Sequence, residues 1–404
     1  MSCTGLCEVL AAGGMNVGLA QFISLLFGVV LVSSVPLVTV IFLIWVERKV
    51  AARIQDRLGP NRVGPFGLLQ TFADLIKLLV KEDITPTAAD RLLYNVAPIL
   101  SFVSVILIWA VVPFTPYHYG VDLEIGVVYF VAVASLGTLA IMTAGWASNN
   151  KYALLGAFRV VALLVSYEIP LIFSLMVPVI LAGSLSMLDI IEAQTGMWFG
   201  LMSPLAMFLF FISSQAETGR APFDLIEAES ELVAGFNIEY SGMKFGMFFA
   251  AEFLHVFTNA VLLAVLFLGG WLGLFSNEPL LAFLWLGLKA AIMYFVSLWI
   301  RNTVPRLRID QVMRFNWFFL VPVSVALVVV TALVVMIMRQ AGLVPTDDLG
   351  NMRLAGATLG EMIPLTLALL ASNALLMLPV LNRLRAEGRE ERQRQTRMAA
   401  AIGD

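Results

Sequence analysis

An all-α, polytopic membrane helix bundle is the fold class this sequence predicts, and three observations predict it. Of its 404 residues, 60% are hydrophobic, and the mean hydropathy is +0.90. Several apolar runs exceed the ~18 residues that mark a bilayer-crossing helix. Lys and Arg crowd into alternate loops, as they do in chains that cross a membrane repeatedly. Helices are expected throughout because an unpaired strand edge has no partner in lipid.

The apolar runs predict nine spans, at about 20–46, 94–113, 126–147, 160–182, 199–216, 247–270, 282–300, 316–338 and 361–380. Of the 25 Lys and Arg, the segments 47–93, 148–159, 217–246, 301–315 and 381–404 carry eight, two, two, four and six. The N-terminal segment and the loops 114–125, 183–198 and 271–281 carry none, while 339–360 carries two. That alternation predicts an outer N-terminal segment at 1–19, a cytoplasmic C-terminus, and cytoplasmic loops at 47–93, 148–159, 217–246 and 301–315. The first residues lack a basic n-region, so the first span is expected to direct insertion itself. Cys3 and Cys7 are the only cysteines. They build no disulfide framework, and no metal site is expected from them. A net charge of −3 gives no affinity for nucleic acid.

The first span continues past the bilayer through Trp45-Val46-Glu47-Arg48-Lys49-Val50-Ala51-Ala52-Arg53, then breaks at Gly59-Pro60-Asn61-Arg62-Val63-Gly64-Pro65. From 66 to 80 helical spacing resumes. Gln70, Asp74, Lys77 and Lys81 fall on one side, and Leu69, Phe72, Ile76, Leu79 and Val80 on the other. This describes an amphipathic helix that lies in the interface or docks on a soluble partner.

Inside the fourth span stands Glu168, two residues before Pro170. An ionised carboxylate there costs roughly 2.5–3.5 kcal/mol unless it faces water or a partner. It reads either as a functional acid beside a proline kink or as a protonated structural glutamate. The stretch 217–252 then holds seven carboxylates, Glu217, Asp224, Glu227, Glu229, Glu231, Glu239 and Glu252, with Arg220 and Lys244 the only nearby cations. Such acids form either a solvated surface loop or, when crowded at a membrane boundary, a set of groups able to take up and release protons. Asp224, Glu227 and Glu231 would share one helical face. His255, three residues after Glu252, is a packed side chain or an extension of a relay. The loop Arg301-Asn302-Thr303-Val304-Pro305-Arg306-Leu307-Arg308-Ile309-Asp310-Gln311 marks a cytoplasmic boundary. The tail at 383–397, with six arginines and three glutamates, is a solvated helix, a docking tail or a binder of anionic lipid. No Gly-rich nucleotide loop or cysteine cluster occurs, so no redox centre is expected in the chain.

Several of these motifs resemble one family. Ala216-Glu217-Thr218, Arg220, Ala221-Pro222-Phe223-Asp224-Leu225 and Glu227-Ala228-Glu229-Ser230-Glu231-Leu232-Val233-Ala234-Gly235 resemble the central loop of the NADH dehydrogenase subunit 1 family, the H-type membrane subunits of NADH-quinone oxidoreductase (respiratory complex I). Glu47-Arg48-Lys49, the 59–65 turn, Gly67-Leu68-Leu69-Gln70, Ala73-Asp74, Lys77-Leu78, Lys81-Glu82 and the 301–313 loop resemble it too. Thr71 and Ile226 stand where the family usually has proline, and Ile309 where tyrosine is common.

The resemblance covers about 20–338 and implies eight family spans. The run at 361–380 would then be an added ninth, reached through an outer loop at 339–360, and 381–404 a cytoplasmic charged tail. It further implies a subunit of the proton-pumping NADH:quinone oxidoreductase in a prokaryotic plasma (inner) membrane, helping to form the quinone chamber. Its partners would be the other complex I subunits of the peripheral and membrane arms, quinone and the lipid bilayer. Quinone would be the substrate, and FMN and iron–sulfur clusters would reside in partner subunits. The residues matched to the proton path are Glu168, Glu217, Glu227, Glu229, Glu231, Glu239 and Glu252, with Asp224 and Arg220 beside them; Glu124 and Lys289 are weaker candidates. Arg48, Arg53, Phe223, Asp74, Lys77 and Arg306 are matched to the quinone chamber. Two other readings stay open: a homologous subunit of a ferredoxin-, F420- or hydrogenase-linked complex, and an ion-coupled transporter, for which the expected repeats are not visible.

Overall fold

The computed structural model describes residues 16–225, 235–274, 278–345 and 354–402. Helix α1, Val17–Ile54, starts where Asn16 Oδ1 accepts the Gly18 N–H at 3.0 Å and runs unbroken from the first apolar span into the basic segment. It stops at Ile54, with Asp56 left-handed at φ 54° just beyond. Gly64 and Gly67 hold φ of 72° and 77°, and a Cβ on Gly67 would lie 2.1 Å from the Pro60 carbonyl oxygen, so only glycine fits this turn. Helix α2, Gln70–Val80, follows. It begins four residues later than the spacing predicts because Pro65–Gly67 forms a separate 3-10 turn with Phe66 at φ 54°.

Helices α3, Arg91–Ile108, and α5, Lys151–Ala182, are started by side-chain caps: Asp90 accepts from the Leu92 N–H, and Asn150 from the Tyr152 N–H. Between them runs α4, Gly126–Ala147. α5 ends at Gly183, left-handed at φ 71°. A short α6, Met187–Glu192, is capped by Ser186.

The apolar run at 199–216 folds differently from the other expected spans. It is broken at Ser203 into α7, Phe199–Met202, and α8, Pro204–Glu217, because Pro204 has no N–H to continue a helical ladder and is suited to start a new one. Among the described residues, eight helices rather than nine are therefore long and apolar enough to cross a membrane. Helix α9, Gly242–Phe267, and α10, Pro279–Thr303, come next. Helix α11, Ile309–Phe315, passes through a π turn at Asn316–Leu320 into α12, Val321–Gln340. Helix α13, Leu359–Ile402, is one helix through the added span and the arginine-rich tail. The described residues contain no strand, only a bridge between Pro113 and Tyr119. The chain is a multi-pass helical membrane protein.

Helix α9 is the hub. In its most apolar stretch 67% is buried, against 18% for α1, and it packs on α3, α10, α1 and α2. Trp109, just past α3, donates through Nε1 to Thr258 Oγ1 of α9 at 2.9 Å. Close helix approach, rather than water expulsion, holds such bundles together in lipid. Gly145 of α4 illustrates it, since a Cβ there would sit 2.3 Å from the Ala157 Cβ of α5. Helix α13 packs against α12, α7 and α8. Its Asn373 Nδ2 donates to Ser203 Oγ at 3.2 Å, at the break between α7 and α8.

Candidate functional site

The end of α8 and the turn after it deliver the site. Glu217 closes the helix, and Gly219, left-handed at φ 62°, turns the chain so that Arg220 points inward with only 1% of its surface exposed. A guanidinium so buried needs compensation. Its Nη1 donates to Glu47 Oε2 at 2.6 Å, its Nε lies 3.9 Å from Glu252 Oε1, and its Cζ stands 4.8 Å from the Phe253 ring centroid. Glu47, itself buried, also accepts from Arg301 Nη1 and, at 3.2 Å, from the Tyr294 hydroxyl. One carboxylate of α1 thus ties α10 and the 218–220 turn after α8 together.

On the other side of Arg220, three polar residues of α9 share one face. Glu252, His255 and Asn259 are spaced i, i+3 and i+7. Asn259 Nδ2 donates to Glu217 Oε2 at 3.3 Å, and His255 Nε2 lies 3.9 Å from Glu217 Oε1. Glu217, Glu252 and His255 border a cavity of about 80 Å³ whose lining also includes Ser104, Thr138 and Asn237. That volume and polarity suit a few waters. Thr138, on α4, donates through Oγ1 to Glu168 Oε1 at 3.4 Å. The cavity therefore stands between the Glu217 and Glu252 pair and Glu168 of α5. The arrangement can hold and pass protons among carboxylates, an imidazole, hydroxyls and water, steadied by two arginines.

Other residues named from the sequence fall in separate places. Arg48 Nη1 pairs with Asp74 Oδ2, Gln70 Nε2 donates to Asp74 Oδ1 at 3.3 Å, and Trp45 Nε1 donates to the Phe66 carbonyl at 3.1 Å. These contacts dock α2 against the end of α1 and leave Phe72, Ile76, Leu79 and Val80 exposed. Arg53 and Lys77 are exposed nearby. Arg306 Nη2 lies 3.7 Å from Asp224 Oδ1, and Phe223 is buried with its ring 5.5 Å from that of Tyr167. Glu239 is tied elsewhere, accepting from Asn150 Nδ2 at 2.7 Å at the start of α5, while its carbonyl accepts from the Tyr94 hydroxyl at 2.6 Å. Glu227, Glu229 and Glu231 lie outside the described residues. Glu124 is exposed. Lys289 spends its three donors on the carbonyls of Leu268, Gly270 and Leu272, at 2.6, 3.0 and 2.7 Å. It caps the far end of α9, roughly 24 Å along the helix from Glu252.

Sequence reasoning missed Glu47 and Arg301 as site residues, having read one as helix continuation and the other as a boundary charge. It missed Asn259 and Thr138 too. For Asn259 a signal existed, because it extends the Glu252 and His255 spacing by one more turn. Thr138 had none: nothing in α4 marks that hydroxyl from its neighbours.

The profile of the family described as NADH dehydrogenase matches residues 27–332, well over half of the chain. The chain belongs to the NADH dehydrogenase family. Relatives include the H subunit of the NADH-quinone oxidoreductase of Geobacillus kaustophilus (strain HTA426), 48% identical over 314 residues, covering 77% of this chain and 94% of that protein. The protein of the same name from Dehalococcoides mccartyi (strain CBDB1) is 46% identical over 349 residues, covering 86% and 94%. That of Brevibacillus brevis (strain 47 / JCM 6285 / NBRC 100599) is 46% identical over 307 residues, covering 76% and 91%. Every contact of the buried cluster falls inside the matched residues, and α13 falls outside them.

Proposed function

We propose that this chain is the H subunit of a membrane-bound NADH:quinone oxidoreductase and couples quinone reduction to proton movement. Its family and the names of its relatives support the assembly, and one observation carries the coupling: a connected set of ionisable groups inside the bundle. The set runs from Glu47 through Arg220 to Glu252 and Glu217, and across the cavity by Thr138 to Glu168. Carboxylates so placed titrate as a group, so a charge change at one end is felt at the other. Asp224, paired with Arg306, extends the set toward the cytoplasmic surface, where the basic loops are proposed to lie, and the family resemblance assigns Glu227, Glu229 and Glu231 to the same path. The proposed quinone chamber is formed on that side by α1 and the exposed apolar face of α2, with Arg48, Asp74, Phe223 and Arg306 near its mouth. Electrons would arrive from FMN and iron–sulfur clusters in partner subunits of the peripheral arm.

The test uses the intact complex in membrane vesicles. Glu217→Gln is expected to leave assembly intact and to lower NADH:quinone turnover and proton uptake together. Wild-type values of both would contradict the reading. Recovery of the chain from native membranes without a redox arm, under conditions that hold the complex together, would favour a transporter instead.

A further inference from the structure

A proline within a helix withholds the N–H that would bond the carbonyl four residues earlier, and in lipid no water replaces it. Two prolines of this bundle show how such a carbonyl is satisfied. In α3, Pro98 frees the carbonyl of Tyr94, and the Tyr240 hydroxyl donates to it at 3.3 Å. In α5, Pro170 frees the carbonyl of Ser166, and Asn316 Nδ2 donates to it at 2.6 Å.

The second case lies against Glu168. Asn316 is fully buried and opens the π turn between α11 and α12, a local distortion that recurs at functional sites. One turn earlier, the Val312 carbonyl accepts the Tyr167 hydroxyl at 3.0 Å. Two bonds therefore clamp Ser166 and Tyr167 to the α11–α12 element, directly before Glu168, whose carboxylate meets Thr138 on the opposite helix. The amide also carries a cost, because Asn316 Oδ1 is buried and makes no hydrogen bond among the described residues. An apolar side chain would avoid that cost, so the Nδ2 contact is what the asparagine contributes.

We infer that Asn316 is a positioning residue for Glu168: it fixes the kink that Pro170 creates in α5 and so holds the carboxylate toward Thr138 and the cavity. This rests on the proposed proton role of Glu168. Asn316 touches neither quinone nor the moving proton; it acts through the α5 backbone.

Pro170→Ala supplies the test, since alanine returns the N–H that bonds the Ser166 carbonyl and makes Asn316 dispensable. In the purified complex, Asn316→Leu is expected to lower NADH:quinone turnover per assembled complex about tenfold, the loss of one buried bond. The KM for quinone should stay unchanged and proton uptake should fall in parallel. Pro170→Ala with Asn316→Leu should recover to within about threefold of Pro170→Ala alone. Wild-type turnover in Asn316→Leu, or a double variant equal to the product of the two singles, would overturn the inference. If Asn316→Leu fails to assemble, the cycle is read on assembly: rescue by Pro170→Ala supports the clamp, and absence of rescue overturns it. Glu168→Gln separates the two readings. Wild-type turnover and proton uptake in that variant would remove the proton role of Glu168 and the inference with it, whereas an impaired Glu168→Gln beside additive Asn316 and Pro170 effects would remove the inference alone.

Discussion

Arg220 and Arg48 show how differently two arginines of one chain are worth. Arg220 is buried against Glu47 and Glu252, so truncating it takes one of two arginines from the buried Glu47 carboxylate and opens a gap in the charge cluster. Arg220→Ala is expected to cost about 3–5 kcal/mol, read as loss of assembled complex or a large drop in its melting temperature; a change as small as that of a surface variant would refute the buried pairing. The Arg48 side chain is 44% exposed beside Asp74, and solvent-screened pairs contribute about 0.2–1 kcal/mol. Stability should therefore barely register Arg48→Ala. Glu47 was invisible as a site residue because its importance is not local: a lone acid near the end of an apolar run gives no hint that Arg220 and Arg301, more than 170 residues away, converge on it. Arg220 was readable, being one of two cations in an acidic stretch.

Among the helices, α2 and α9 were foreseen and the α7–α8 break was not. Apolar spacing marked α2, and the turn at 59–65 marked its separation from α1. Its docking depends on Arg48–Asp74 and Trp45–Phe66, so Asp74→Ala together with Trp45→Phe should loosen the helix. The expected outcome is a loss of NADH:quinone turnover with little change in NADH reduction of a water-soluble acceptor such as ferricyanide. Equal losses in both assays would mean misassembly rather than a disturbed chamber. The split at Ser203 was missed since hydropathy counts apolar residues without asking whether a backbone bond is missing, and Pro204 is apolar enough to pass. On α9, Asn259→Leu removes the donor to Glu217, leaving a buried acceptor unpaired at a cost of about 1–3 kcal/mol; thermal unfolding of the complex would record it.

Across the molecule as a whole, α13 lies outside the family match yet is docked at the α7–α8 break through Asn373, and the segment before it at Thr195 through the Gly356 N–H. Ending the chain at 345 should leave a complex that assembles and turns over but melts several degrees lower, because the close packing of α13 on α12 and α8 and the Asn373–Ser203 bond are lost; complete loss of assembly would show that α13 is part of the minimal fold. Orientation is tested by labelling in a background lacking Cys3 and Cys7. Glu124→Cys should react with an impermeant thiol reagent from outside, and Lys151→Cys only after the cytoplasmic face is opened. The helical class, the alternation of basic loops and the acidic stretch were all legible in the residues alone, since they depend on composition and on spacing within one segment. Which acids meet was settled by packing. Glu217 and Glu252 line one cavity, Glu168 is linked to it through Thr138, Glu47 joins them through Arg220, and Glu239 goes to Asn150. The physical reason is that a buried charge is satisfied by whatever partner packing brings within about 4 Å, and distance along the chain carries no information about that.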